Sequence, residues 1–358
     1  MTPSHDRAAS APPAGAEDGP ATVDVHAHAL PMPLLRYLAD RGLADLSEAG
    51  AGVLLLDPAV SGVPKGARIP LPADQYDVPR RLTALDAAGI DLQLVSAPPF
   101  VFGSDSDDGE LVMAVTRRSN DALAEYAAAG GGRLAALGTV PVGLPGAAAE
   151  AARCLDELGM AGLAMGTYGA GRELDDPVNE DVWALMTERR AFGLVHPSRA
   201  SAPARLRDFY LVQLLGYPAE TALAAARLIF GGVLDRHDPM LCLVHGGGCL
   251  PALAPRLALG WERKKEARTV PRSPREYLRR LYFDTAVFDG TALRRLIEDV
   301  GHERVLLGTD LPFDLADVDA VAAIRRLALD PAAERAVLAG NAARLIPSVR
   351  PDSSARRP

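Results

Sequence analysis

Eight short apolar runs, each separated from the next by longer stretches, limit this chain to few architectures. The runs cover residues 21–25, 91–96, 134–140, 162–165, 192–195, 240–244, 281–284 and 304–307. Ala-, Leu- and Arg-rich stretches between them carry helical periodicity over 79–88, 110–129, 147–158, 179–190, 219–230, 291–300 and 317–329, and a closing helix starts over 331–339. Strands alternating with helices pair in parallel and need both sheet faces covered. The expected class is therefore α/β, a (β/α)8 TIM barrel with a long cap insertion after the first strand. A two-domain doubly wound sheet is the competing arrangement, but no Gly-x-Gly-x-x-Gly fingerprint follows any run. The insertion is the Gly-, Pro- and Asp-rich segment 31–78. In a barrel it falls on the C-terminal face, where it would cover a pocket.

The chain has 358 residues, nearly half of them apolar, which suits one such barrel over 21–346. Residues 1–20 are rich in Ala, Pro, Ser and Asp and lack the apolar core of a signal peptide, so a disordered leader is expected there, and a similar tail over 347–358. No apolar stretch approaches the roughly 20 residues of a membrane span. A net charge of −8 offers no basic footprint for nucleic acid or anionic membrane. Cys154, Cys242 and Cys249 match no zinc spacing and no disulfide framework, which points to a reduced, cytoplasmic protein.

The chemistry gathers at the strand ends. His26 and His28 stand two residues apart at the end of the first run, so both imidazoles share one face of a strand. His196 ends the fifth run, His245 the sixth and Asp310 the eighth. All these ends lie on one face of a barrel, whereas His237 and His302 precede strands and fall on the opposite face. Three imidazoles and one carboxylate (His26, His28, His196 and Asp310) suit a late divalent metal with a position left open. His245 then remains for proton transfer, since imidazole titrates near neutrality. Gly246–Gly248 would let backbone approach a substrate closely and make a tight strand-to-helix turn. The only lysines are Lys65, Lys264 and Lys265, and the fourth strand ends in Met165 and Gly166. A second metal bridged by a carboxylated middle-strand lysine is therefore not expected, and the site reads as mononuclear.

The motifs Asp24-Val25-His26-Ala27-His28, Leu137-Gly138-Thr139-Val140-Pro141, Val195-His196-Pro197 and Gly216-Tyr217-Pro218-Ala219-Glu220-Thr221 are joined by Gly231-Gly232-Val233, His245-Gly246-Gly247-Gly248, Gly308-Thr309-Asp310-Leu311-Pro312-Phe313 and Gly340-Asn341-Ala342. Together they resemble the amidohydrolase superfamily, and within it the decarboxylase branch of the 2-amino-3-carboxymuconate-6-semialdehyde decarboxylase type. The resemblance runs from about residue 23 to about 346. It implies a (β/α)8 barrel holding one Zn2+ per chain on His26, His28, His196 and Asp310, with Mn2+ or Co2+ able to fill the same donors. It implies His245 as the catalytic acid/base. It also implies that Arg256 binds the substrate carboxylate across a homodimer interface. The branch places Trp after its His-Pro and a substrate-binding Arg four residues before an aromatic aligned with Tyr76. Ser198 and Pro72 stand there instead, and Arg68 is the nearest replacement. The pocket wall thus departs from the muconate semialdehyde type.

The expected activity is zinc-dependent, non-oxidative decarboxylation of a small aromatic or muconate-type carboxylic acid. His245 would steer protonation, Asp310 would hold metal and orient water, and Arg256 and Arg68 would anchor the acid. The alternative on the same residues is a metal-dependent hydrolase or hydratase. A non-catalytic barrel that binds metal or ligand as an assembly partner is a third reading, set against an intact five-residue constellation.

Overall fold

A computed structural model describes residues 21–349; the leader and tail positions outside that range are not among the described residues. Eight parallel strands follow one another in chain order: β1 (Val23–His28), β2 (Leu92–Ser96), β3 (Leu134–Val140), β4 (Gly162–Gly166), β5 (Phe192–His196), β6 (Met240–Leu243), β7 (Tyr282–Asp284) and β8 (Val305–Leu306). The amide of Val25 donates to Leu307 O at 2.9 Å and that of His28 to Leu311 O at 2.8 Å, so the last strand returns to the first and the barrel closes. Parallel strands need both faces covered, and β1, β2, β4 and β5 are buried along their whole length.

Helices alternate with the strands: α1 (Val78–Ala88), α2 (Gly109–Ala128), α3 (Ala147–Asp156), α4 (Glu180–Arg189), α5 (Tyr217–Phe230), α6 (Leu250–Arg263), α7 (Gly290–Val300) and α8 (Ala320–Arg326). Their starts are written locally. Asp77, Asp108 and Asp289 accept from backbone amides in the first turns of α1, α2 and α7, filling donors that a helix start leaves unpaired.

Four expectations are revised in detail. β1 runs three residues further than the apolar run and takes in His26 and His28, buried strand residues as their shared-face spacing predicts. The helix expected over 317–329 is confined to Ala320–Arg326. The helix that the Gly246–Gly248 turn leads into takes its bounds, as α6, only from the structure, since Pro251 at its start and Pro255 inside it interrupt the helical pattern. Finally, the insertion after β1 is not bare loop. It holds a helix over Met32–Ala39 and a three-stranded antiparallel sheet of Ala44–Asp45, Val53–Leu56 and Ile69–Pro70. Its buried Leu34, Leu35, Leu38 and Leu54 join the main core, so it is packed onto the barrel.

Candidate metal centre

The strand ends bring His26, His28, His196 and Asp310 together, one donor atom from each lying within 4.8 Å of the others. Asp310 Oδ1 stands 3.2 Å from His26 Nε2, 3.0 Å from His28 Nε2 and 4.0 Å from His196 Nε2. All four residues are buried. The remaining ring nitrogens settle the tautomers. His26 Nδ1 donates to Asp284 Oδ2 at 2.6 Å, His28 Nδ1 to Ala97 O at 3.2 Å, and His196 Nδ1 to Pro197 O at 2.7 Å. A proton on each Nδ1 leaves each Nε2 lone pair facing the centre.

This arrangement fits a cation. The Nε2 atoms of His26 and His196 are buried with no hydrogen-bond partner among the described residues, which is costly unless something positive is shared there. The electrostatics agree. Burial pushes His26 down, but Asp310 and Asp284 outweigh it and raise it to about 10. Two carboxylates beside a buried imidazole favour positive charge at this place, which a divalent ion could supply. Burial pushes His28 and His196 down, keeping them neutral. Burial would raise Asp310, but His26, His245 and His28 hold it well below the usual carboxylate range.

His245 is the fifth expected residue, and the structure places it beside the others without making it a donor of the same kind. Its Nε2 lies 3.5 Å from Asp310 Oδ2, the oxygen turned away from the three imidazoles. Its Nδ1 has no hydrogen-bond partner among the described residues. One carboxylate thus faces the cation position with Oδ1 and the partly exposed His245 with Oδ2.

These residues open into a cavity of about 1090 Å³. Phe100, Tyr217, Val287, Phe288 and Phe313 supply apolar and aromatic wall, and residues 63–70 of the insertion form part of its rim. Phe313 lies 4.8 Å from the His28 ring, centroid to centroid. Arg68 lines this cavity but its guanidinium is engaged by Glu48 in a two-pronged pair at 2.9 and 2.7 Å. Arg256 is exposed on α6 and does not line the cavity of its own chain. Ser198 packs against Ser104, their hydroxyls 2.5 Å apart. His237 bonds Glu180 at 2.6 Å and His302 is half exposed, both away from the centre as expected.

A buried polar layer beneath the donors was not anticipated. Asp24 Oδ2 accepts from Thr309 Oγ1 at 2.6 Å and Gln93 Nε2 at 2.7 Å, and its Oδ1 accepts from the His26 amide at 3.0 Å. Burial raises Asp24 to about 6 against these bonds. Arg81, fully buried, reaches Asp74 O, Gln93 Oε1 and His28 O. Asp284, which ends β7, was missed although it meets the same strand-end criterion that found the other residues.

Comparison with known proteins adds one family and three similar proteins. A family model described as Amidohydrolase matches residues 23–347. A 2-amino-3-carboxymuconate-6-semialdehyde decarboxylase from Dictyostelium discoideum is 31% identical over 247 residues, 68% of each chain. A gamma-resorcylate decarboxylase from Rhizobium is 28% identical over 258 residues, 66% of this chain and 77% of that one. Among solved structures, 5-carboxyvanillate decarboxylase LigW from Sphingomonas paucimobilis superposes with a TM-score of 0.75 at 27% identity, covering 91% of this chain and 98% of its own. No helix among the described residues is long and apolar enough to cross a membrane.

Proposed function

The chain belongs to the amidohydrolase family, and on that premise we propose that it is a metal-dependent, non-oxidative decarboxylase of a small aromatic or muconate-type carboxylic acid. The observation that carries this reading is the two-sided Asp310 carboxylate. It faces three Nε2 lone pairs with one oxygen and His245 with the other. Relatives that share this chain's family are named as decarboxylases of such acids.

His26, His28, His196 and Asp310 would hold one Zn2+, a donor set that Mn2+ or Co2+ also suits. Bound there, the ion supplies Lewis-acid attraction for the substrate's carboxylate or a neighbouring oxygen. The chain's own groups do the rest. The apolar wall with Phe313 and Tyr217 holds a flat ring and excludes water. The bond from ring carbon to carboxylate breaks, carbon dioxide leaves, and the ring carbon keeps the electron pair. His245 delivers a proton to that carbon, with Asp310 Oδ2 steadying the imidazole. Arg256 from a second copy would pair with the acid's anionic groups, and Arg68 at the rim would join it on leaving its pair with Glu48. Exposed Phe209, Leu214 and Leu215 lie before α5, and exposed Leu253 and Leu259 lie on α6 beside Arg256, which supports a homodimer on that face. Residues 31–78 would act as a cap, and three free cysteines suit a reducing, cytoplasmic setting.

The test is to load the protein with zinc and offer ortho-hydroxy aromatic, amino aromatic and muconate-type acids. Loss of substrate absorbance with one carbon dioxide released per molecule is the expected result. Turnover of any of these acids without carbon dioxide would move the assignment to hydrolysis or hydration.

A further inference from the structure

Asp284 is fully buried and both of its oxygens are engaged, each with a different part of the site. Oδ2 accepts from His26 Nδ1 at 2.6 Å. Oδ1 accepts from the backbone amide of Gly246 at 2.7 Å, and from that of Ala286 at 3.3 Å. Gly246 directly follows His245. The run from His245 to Gly248 has φ values of +56°, +60°, +77° and +60°, a left-handed stretch that a histidine rarely enters. Such a conformation persists only where surrounding bonds fix it, and the Gly246 amide bond is one of them. Space has been cleared for the arrangement. A Cβ on Gly308 would stand 2.8 Å from Asp284 Cβ and 3.0 Å from His26 Cβ, and one on Gly246 would meet Val287 Cγ1 at 2.3 Å.

We propose that Asp284 is a positioning residue that sets the His26 tautomer for metal and, through Gly246, fixes where His245 stands. The inference rests on the reading of His26 as a metal donor and His245 as the proton carrier. A carboxylate can accept on both sides at once. An isosteric amide cannot: its NH2 must face either His26 Nδ1–H or the Gly246 N–H. In the first case the His26 proton is driven to Nε2, the atom meant for metal. In the second the His245 turn loses its anchor.

The experiment compares wild type and Asp284→Asn, both stripped of metal and titrated with cobalt, with histidine-labelled 15N spectra recorded on the zinc-loaded proteins. The variant should bind cobalt roughly 10–100-fold more weakly, the usual effect of losing such an outer partner. At saturating metal its kcat should fall about tenfold or more with KM little changed. The His245 ring signals should shift even where no substrate is turned over. In wild type, the His26 ring should carry its proton on Nδ1 with a far-downfield signal. A wild-type spectrum with the proton on Nε2 overturns the proposal even if the variant fails to fold. Unchanged cobalt affinity together with unmoved His245 signals overturns it as well. Absence of decarboxylation by wild type would instead count against the activity, leaving these two readouts intact.

Discussion

On the proposed reading His245 would serve turnover and not metal binding, because its Nε2 approaches Asp310 Oδ2 rather than joining the three Nε2 atoms around Oδ1. His245→Gln should therefore keep its metal, measured by elemental analysis of the purified protein. Its turnover should drop by about 10²–10⁴, the range for loss of a general acid/base. His196→Ala should do the reverse and lose metal first, since a buried donor with no other partner is removed. Full activity in the glutamine variant would end the proton role. The neighbouring Gly248 is required for shape. A Cβ there would lie 2.0 Å from Pro218 O, on a backbone at φ +60°. Gly248→Ala should cost at least about 2 kcal/mol, combining left-handed strain with a backbone clash, read as a lower urea midpoint.

At the scale of elements, Arg81 on α1 ties the insertion, β1 and β2 together through Asp74 O, His28 O and Gln93 Oε1. Arg81→Met fills similar space but leaves three acceptors without their cation. It should destabilise by about 2–4 kcal/mol, with an equal melting temperature as the result that refutes it. A surface pair behaves differently. Glu180, at the start of α4, is held below its ordinary 4.5 chiefly by Arg236, with His237 adding to it against partial burial. A carboxylate depressed in the folded state stabilises above its unfolded value, and that gain is lost as pH falls through the folded one. Glu180→Gln should thus flatten the acid limb of the stability curve below about pH 4.5, by under about 1 kcal/mol for so exposed a group. These two cases show what the sequence could and could not disclose. Apolar runs and the polar residues that end them, such as His196 and Asp310, carry period and position in the chain itself. Arg81, Gln93 and Asp24 look like ordinary surface types, and only their tertiary partners make them interior. The bounds of α6 stayed hidden because Pro251 and Pro255 mask its period, and the insertion's small sheet because its strands are two to four residues long.

Across the whole molecule, the site stands over the seam where the barrel closes. β8 is two residues long, and its end is joined to β1 by few bonds: Val25 and His28 amides outward, Asp310 amide to His26 O at 2.8 Å, and Thr309 to Asp24. A cation held by His26 and His28 on β1, His196 on β5 and Asp310 after β8 would bridge that seam and cross the barrel mouth. Stripped of metal, the same place holds one buried carboxylate among three imidazoles. Metal that binds the folded chain and not the unfolded one stabilises by about 2.7 kcal/mol at a hundredfold excess over its dissociation constant. Chelation should therefore lower the melting temperature, and added zinc should restore it in a concentration-dependent way. Because the bridged strands are the closing pair, amide exchange should rise most over 23–28 and 305–311, while β3 and β4, paired on both sides away from the seam, change little. Uniform exchange across all eight strands would show that the metal serves chemistry alone and takes no part in closing the barrel.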